Sequence, residues 1–251
     1  MHHVIVGNSV AGIEAAIALR NRDAAARITV VSAEHPHFFA RTALMYVFCG
    51  QLSLRDTEPH DRGLYERMRF TRVHDRVMRL RPDARALDLA SGGTLAYDTL
   101  LLAVGSVARP LPWAPDHGPG MHHFVTLADL EKLDAAAKPG QVAAVVGGGL
   151  VGVEVAEVLH QRGLRVHFLV REPWYFPVAL DEHEAALVAA HIRAHGVDVR
   201  LDTAVLRAER RGERIALGLP DGELVVDQIV GAIGVVPNTG FLRGSGLALA
   251  D

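Results

Sequence analysis

Gly147, Gly149 and Gly152 stand in the order G-x-G-x-x-G, a spacing by which a backbone can grip a diphosphate. The first glycine permits a tight turn out of a strand. The second has no Cβ, so a pyrophosphate can come up against the main chain, and the third lets a following helix pack closely on the sheet. The mouth of that helix offers unpaired N–H groups and a partial positive charge to the phosphate oxygens. A second, looser copy lies near the N-terminus as Gly7, Ser9 and Gly12. Its serine crowds the middle position, but the hydroxyl can donate to a phosphate. Glu34, just past the next apolar run, is a carboxylate suited to accept both hydroxyls of an adenosine ribose. The plainer alternatives are glycine turns that only pack and a carboxylate that only faces water.

The corresponding place in the second copy, after "RVHFLV", has Val170 and Arg171 in place of an acid. An arginine there attracts a ribose 2′-phosphate through charge-assisted hydrogen bonds, so NADP(H) is favoured over NAD(H), with Glu172 partly offsetting the argument. Trp174, Tyr175 and Phe176 follow as either an adenine stack or a core or lid cluster.

Each turn needs a strand before it and a helix behind it. "HHVIVGNSVAGIEAAIALRNRDAAARITVVSAE" predicts a strand over 4–6, a helix over 10–20 and a strand over 28–31. "QVAAVVGGGLVGVEVAEVLHQRGLRVHFLVRE" repeats the grammar about 140 residues later. Between the copies, residues 35–70 predict short helices over 43–48 and 64–68. Strands follow over 73–80 and 86–89, then a turn at 91–93 and the run "TLLLAVG" ending at Gly105. "SVARPLPWAPDHGPG" holds four of the twelve prolines and reads as a linker. Beyond the second copy, a helix over 182–195, a strand over 197–201 and a β-rich stretch to "VDQIVGAIGVVPNTG" complete the pattern.

The 251 residues are 49% hydrophobic and 22% charged, an ordinary globular composition. A net charge of −3 gives no reason to expect nucleic acid or an anionic membrane as partner. The single cysteine, Cys49, excludes an intrachain disulfide and a dithiol pair. "MHHVIVG" enters a strand with no signal-peptide pattern, and no apolar run has the ~20 residues of a spanning helix. The cytoplasm is the expected compartment. Fourteen histidines are scattered, and His2-His3 and His122-His123 read as strand-edge residues outside any zinc spacing.

These residues resemble the pyridine nucleotide–disulfide oxidoreductase superfamily. The resemblance is nearest to the branch of ferredoxin, rubredoxin and putidaredoxin reductases, nitrite reductase large subunits and coenzyme A disulfide reductases. "YDTLLLAVGSVARP" is similar to that family's "YDxLLLATGSxP", with Val104 for threonine, and "IVGAIGVVPNTGFL" to its return from the NAD(P) domain. The resemblance implies an α/β chain of two three-layer Rossmann-like domains. An FAD domain over 1–112 is interrupted by an NAD(P) domain over 113–236, and 237–251 begins the return.

It further implies that Gly7, Ser9 and Gly12 hold the FAD pyrophosphate and Glu34 its ribose. Arg41, in "PHFFARTAL", matches an arginine near the flavin; Val77 contacts adenine through its backbone, and Ala103–Gly105 lie along the FAD. Gly147, Gly149, Gly152 and Arg171 bind NADPH, Gly234 borders it, and Glu154 faces the nicotinamide–flavin junction as the one catalytic candidate. Thr42 stands where some members have a redox cysteine, with Cys49 read as a buried small hydrophobe. Tyr46 stands where ferredoxin-reductase relatives have a lysine, so Glu154 lacks that ion-pair partner. Family members continue past Asp251 to another flavin-binding element and an interface domain. The expectation is therefore a fragment or a chain completed by a partner, with a homodimer formed through that further domain.

The expected activity is FAD-dependent NAD(P)H oxidation, hydride passing to flavin and electrons on to a small-molecule or protein acceptor. The rivals are a non-catalytic NADP(H)-binding module without flavin and a single-cofactor dehydrogenase. The second leaves one of the two glycine turns unexplained.

Overall fold

The computed structural model describes residues 1–114 and 118–249. The chain divides into two compact units, Met1–Val107 with Pro237–Asp251, and Ala108–Val236, so the second interrupts the first in sequence.

In the first unit β1 (His2–Val6) leads through the glycine turn into α1 (Val10–Arg22) and β2 (Arg27–Ser32). Two short helices, α2 (Leu44–Phe48) and α3 (Leu64–Arg67), precede β3 (Phe70–His74). Then come β4 (Val77–Arg81), β5 (Ala86–Leu89), β6 (Thr94–Ala96) and β7 (Thr99–Leu102). Strands β3-β2-β1-β7 form a parallel sheet in that order, and β4-β5-β6 an antiparallel one.

Successive side chains of a strand point to opposite faces, and the parallel sheet uses both. Ile5, Ile28 and Val30 pack with Ile13 and Ala16 of α1 and Leu64 of α3. Val4, Val6 and Val31 pack instead with Val77, Leu80 and Leu87 of the antiparallel sheet, joined by Leu242 of the returning chain. Helices, parallel sheet and antiparallel sheet are thus three layers.

Arg20 ties the helical layer together. Its side chain is buried, and it donates through Nε to Met68 O (2.8 Å) and through Nη1 to Ala24 O (2.9 Å) and Ala26 O (2.8 Å). Among the described residues no carboxylate pairs with this buried guanidinium, which is held by backbone carbonyls at the ends of α1 and α3.

The chain leaves the first unit through β8 (Ser106–Ala108). The second unit holds β9 (Met121–His123), α4 (Leu127–Ala136), β10 (Val142–Val146), α5 (Leu150–Gln161), β11 (Arg165–Leu169), α6 (Glu182–Ala194) and β12 (Asp198–Arg200). It continues through β13 (Arg207–Arg211), β14 (Arg214–Leu219), β15 (Gly222–Val226), β16 (Gln228–Gly231) and β17 (Val235–Pro237). The parallel order is β12-β11-β10-β16-β9, with β13-β14-β15 antiparallel. Ala144, Val146, Leu169 and Ile229 pack on Ile215, Leu217 and Val226 of the antiparallel strands, while α5 covers β10 and β11.

Two expectations are corrected. The strand expected over 73–80 is two strands with different partners. Asp75 breaks the run, its N–H bonding Ser32 O (3.0 Å) and its Oδ1 accepting from Arg76 N (2.7 Å), so β3 ends in one sheet and β4 begins another. A continuous β-forming composition hid that change of sheet. The proline-rich stretch is also less of a linker than its composition suggested. Leu111 and Ala114 are buried in the second unit, and Trp113 O accepts from Ala208 N (3.0 Å). Proline denies ladder hydrogen bonds, not burial. The remainder of that stretch, 115–117, lies outside the described residues. Among the described residues no helix is long and apolar enough to cross a membrane.

Candidate dinucleotide-binding sites

In the first unit the parallel register carries β1, β2 and β7 to a common C-terminal edge, where Val6 lies beside Val31 and Leu102. Gly7, Glu34 and Ala103 all stand just beyond that edge, where open α/β sheets bind ligands. Gly7 has φ +129°, and a Cβ on it would lie 2.0 Å from Ala103 O. A Cβ on Gly12 would lie 2.0 Å from Gly7 O. The chain is therefore folded back on itself so tightly that only hydrogen fits at either position.

Ser9 is the N-cap of α1, yet its side chain makes no capping bond and the first turn holds no acid. Gly149, at the mouth of α5, has no side chain to cap with, and that helix too has no acid in its first turn. The contrast within the chain is informative. Thr126 with Asp129 and Asp181 with Glu184 form capping boxes on α4 and α6, satisfying those helices' own N–H groups. The two helices behind glycine turns have no such side-chain cap.

Glu34 lies two residues past β2 and is bound by Arg41, whose Nη1 donates to Oε1 (3.0 Å) and whose Nη2 donates to Oε2. The Arg41 guanidinium also sits 5.5 Å from the Phe39 ring centroid. Val77 opens β4 and is buried in the core. Gly105, at φ +64°, bonds through its carbonyl to Asn238 N (2.9 Å).

In the second unit a cleft of about 1140 Å³ opens over the glycine turn, lined among others by Gly147, Gly149, Arg171, Glu172, Ile233 and Gly234. Gly147 (φ +124°) is pressed against Ala232 O, and a Cβ on Gly152 would lie 2.1 Å from Gly147 O. Gly149 meets nothing within 4 Å, so the space above it is open to a ligand. Val170 is buried under the turn, and Arg171 and Glu172 form an exposed ion pair at the rim. Tyr175 packs on Phe168 with ring centroids 6.0 Å apart, which makes it core, whereas Phe176 (φ +51°) lines the cleft. Glu154 lies on the exposed side of α5. Burial pushes the Tyr175 phenol up, and the charge of Glu154 adds to that shift.

Some site residues escaped the sequence reading. Asn8 accepts from Tyr65 Oη (2.8 Å) and donates to His35 O (3.3 Å), while Phe38 N donates to Tyr65 Oη (2.8 Å). These bonds lash the first glycine turn to the loop after β2. An asparagine inside the turn was the available signal; Tyr65, 57 residues away, gave none. Gly148, passed over as a variable position, has no room for a Cβ either, since one would lie 2.6 Å from Val170 Cγ1.

One further cluster invites attention. His35, His37 and Glu58 bring ligand-type atoms within 4.8 Å of one another. Arg62 donates to Glu58 through Nε (2.9 Å) and Nη2 (2.6 Å), and Arg72 Nη1 lies 2.8 Å from His37 Nε2. Arg62 thus occupies both Glu58 oxygens and Arg72 one nitrogen of His37, while His37 Nδ1 is buried without a hydrogen-bond partner among the described residues. Burial, then the nearby Arg72 charge, holds His37 below its ordinary value.

A sequence profile described as pyridine nucleotide-disulphide oxidoreductase matches residues 1–251. The chain belongs to that family. Among curated oxidoreductases of the family is the biphenyl dioxygenase system ferredoxin–NAD(+) reductase component of Paraburkholderia xenovorans. It is 30% identical over 253 residues, covering 98% of this chain and 61% of the relative. The anthranilate 1,2-dioxygenase system ferredoxin–NAD(+) reductase component of Burkholderia cepacia is 33% identical over 251 residues, covering 97% and 61%. Among solved structures, the covalent putidaredoxin reductase–putidaredoxin complex superposes with a TM-score of 0.88 at 25% identity. The match covers 99% of this chain and 62% of that one. The chain thus spans 61% of the length of these two curated relatives.

Where this member of the pyridine nucleotide-disulphide oxidoreductase family departs from the dithiol pattern, the structure gives the surroundings. Thr42 is exposed in the 3-10 turn Arg41–Ala43, and Tyr46 is exposed on α2. Cys49, expected as a buried small hydrophobe, is only half-buried: it ends α2, where the last turn opens to solvent, with its N–H on Met45 O (2.8 Å).

Proposed function

We propose that the chain binds one FAD and one nicotinamide nucleotide and is an NAD(P)H-dependent flavoprotein oxidoreductase handing electrons to an acceptor protein or small molecule. The observation that carries this is the pair of uncapped helix mouths behind steric glycine turns, in a chain whose other long helices cap themselves. The donor set suits the groups: a carboxylate–arginine pair for an adenosine ribose, and backbone N–H groups for each diphosphate. Bound flavin supplies the two-electron chemistry that no side chain here offers.

Gly7, Ser9 and Gly12 hold the FAD pyrophosphate, Glu34 accepts from its ribose, and Arg41 fixes that carboxylate. Val77 and Ala103–Gly105 line the same group with backbone. Gly147, Gly149 and Gly152 hold the second diphosphate, with Gly234 bordering it and Glu154 serving the nicotinamide end. Arg171 favours NADP(H) over NAD(H). The names of the ferredoxin–NAD(+) reductase relatives support a protein acceptor of the ferredoxin kind.

The test is anaerobic addition of NADPH to the FAD-loaded chain. The yellow absorption of oxidised flavin should bleach at a rate that saturates with NADPH. A chain that binds NADPH yet leaves the flavin oxidised, or that holds no flavin, sinks the proposal.

A further inference from the structure

The end of the second cleft away from Arg171 carries an inference that rests on the nucleotide reading just given. β16 lies beside β10 on the side opposite β11, with Gly231 paired to Val146. Ile233 and Gly234 therefore stand beyond the same sheet edge as Gly147, on the flank opposite Arg171 and Glu172. A dinucleotide crosses such a sheet where the strand order reverses, so with its adenosine past β11 its nicotinamide half reaches over β16. Arg109 stands on that flank. Its N–H donates to Gly234 O (3.0 Å), and the first atom a Cβ on Gly234 would meet is Arg109 Nε, 4.0 Å away. The Arg109 side chain is exposed and lines the cleft, with one long contact from Nη2 to Val235 O (3.5 Å). The cleft lining holds two other charged residues, Arg171 and Glu172, and they pair with each other. Among the described residues no carboxylate pairs with Arg109, so it is the unbalanced charge of the cleft.

We infer that Arg109 is a specificity-determining residue for the redox state of the nicotinamide nucleotide. The oxidised nicotinamide ring is a cation and the reduced ring is neutral. A guanidinium stays charged at any working pH, so it repels the first ring and not the second. Pro110, Ile233 and Val235, which adjoin it on the lining, carry no charge to offset that repulsion. Arg109 also attracts the diphosphate, but it does so for both redox forms, and this part cancels in their ratio. The chain thereby holds the reduced nucleotide in preference and lets the oxidised one go. No bond is made or broken by Arg109; the selection is purely one of binding.

The test titrates the full, FAD-saturated chain, with its flavin oxidised, by calorimetry. The two probes are NADP+ and its tetrahydro derivative, whose ring is neutral and donates no hydride. The wild-type chain should bind the neutral probe more tightly. In Arg109→Gln that preference should shrink by roughly fivefold, while Arg109→Lys, which keeps the charge, should retain most of it. High salt should narrow the wild-type preference in the same direction, since the guanidinium is exposed. If Arg109→Gln leaves the ratio of the two affinities unchanged, whether or not both fall together, the selector is wrong and the cleft reading stands. If neither probe binds the wild-type chain, the nucleotide reading of the cleft falls and takes the selector with it.

Discussion

Gly12 has no room for a methyl group: its Cβ would sit 2.0 Å from the Gly7 carbonyl oxygen, and that oxygen belongs to backbone that cannot swing aside. Gly12→Ala should cost roughly 2 to 4 kcal/mol, because the turn and α1 must separate. Lost flavin retention and a lower urea midpoint together are the expected readout; an unaltered midpoint would mean that the turn is looser than described. Arg20 makes a second case. Arg20→Met keeps most of the volume but leaves several buried carbonyls without a donor, at a cost of about 3 kcal/mol by urea unfolding. A loss below half that would show water replacing the guanidinium. The two residues differ in how far sequence reveals them. Gly12 announces itself by its spacing from Gly7. Arg20 looks like any arginine on a helix, since its partners at Met68 and Ala26 are brought to it only by the packed fold.

At the scale of elements, α1 and α5 are the long helices that start behind glycine turns without a side-chain cap. Ser9→Asp separates stability from binding. An aspartate N-cap should hold or raise the stability of the ligand-free chain by about 0.5 to 1 kcal/mol, as a better cap beside a positive dipole end. The same charge should repel a diphosphate, so FAD affinity should fall by about tenfold or more. A variant that is stabilised and still retains flavin normally would show that the diphosphate is held elsewhere. Strand, turn, helix and strand were legible here because β-branched runs, glycines and an Ala/Leu/Ile helix follow one another without a break. The end of β3 was not, because Val73 and Val77 are equally good strand residues, and only in the fold do they pair with different strands, Val73 with Val31 and Val77 with Leu89. Leu111, between two prolines, was illegible for the opposite reason: its neighbours suggest a solvent-exposed linker while it is itself buried.

At the scale of the whole molecule, three histidines among the described residues have their titration shifted in the same direction. Burial is the first cause for each, and it holds His2, His37 and His122 below their ordinary value of 6.5. His122 is the most enclosed, with Nε2 2.9 Å from Gln228 Oε1. The unfolded chain takes up these protons near the ordinary value, the folded chain only at lower pH. Their contribution is therefore full above about 6.5 and is lost as pH falls through the folded values. Urea midpoints should be lower at about pH 5.5 than at about pH 7.5, and His122→Gln should narrow the gap. Equal midpoints in the wild-type chain would deny the burial.

Family membership was legible from four ordered motifs spread along the chain. The rim pair of Arg171 with Glu172 and the lashing of Asn8 by Tyr65 were not, because both depend on where side chains end up, not on spacing. The central claim is that one polypeptide carries two separate diphosphate cradles, and counting nucleotides tests it most directly. Calorimetric titration with FAD, followed by NADPH on the FAD-loaded chain, should give one of each per chain, with neither displacing the other. NADPH that expels FAD, or a total of one nucleotide per chain, would contradict it.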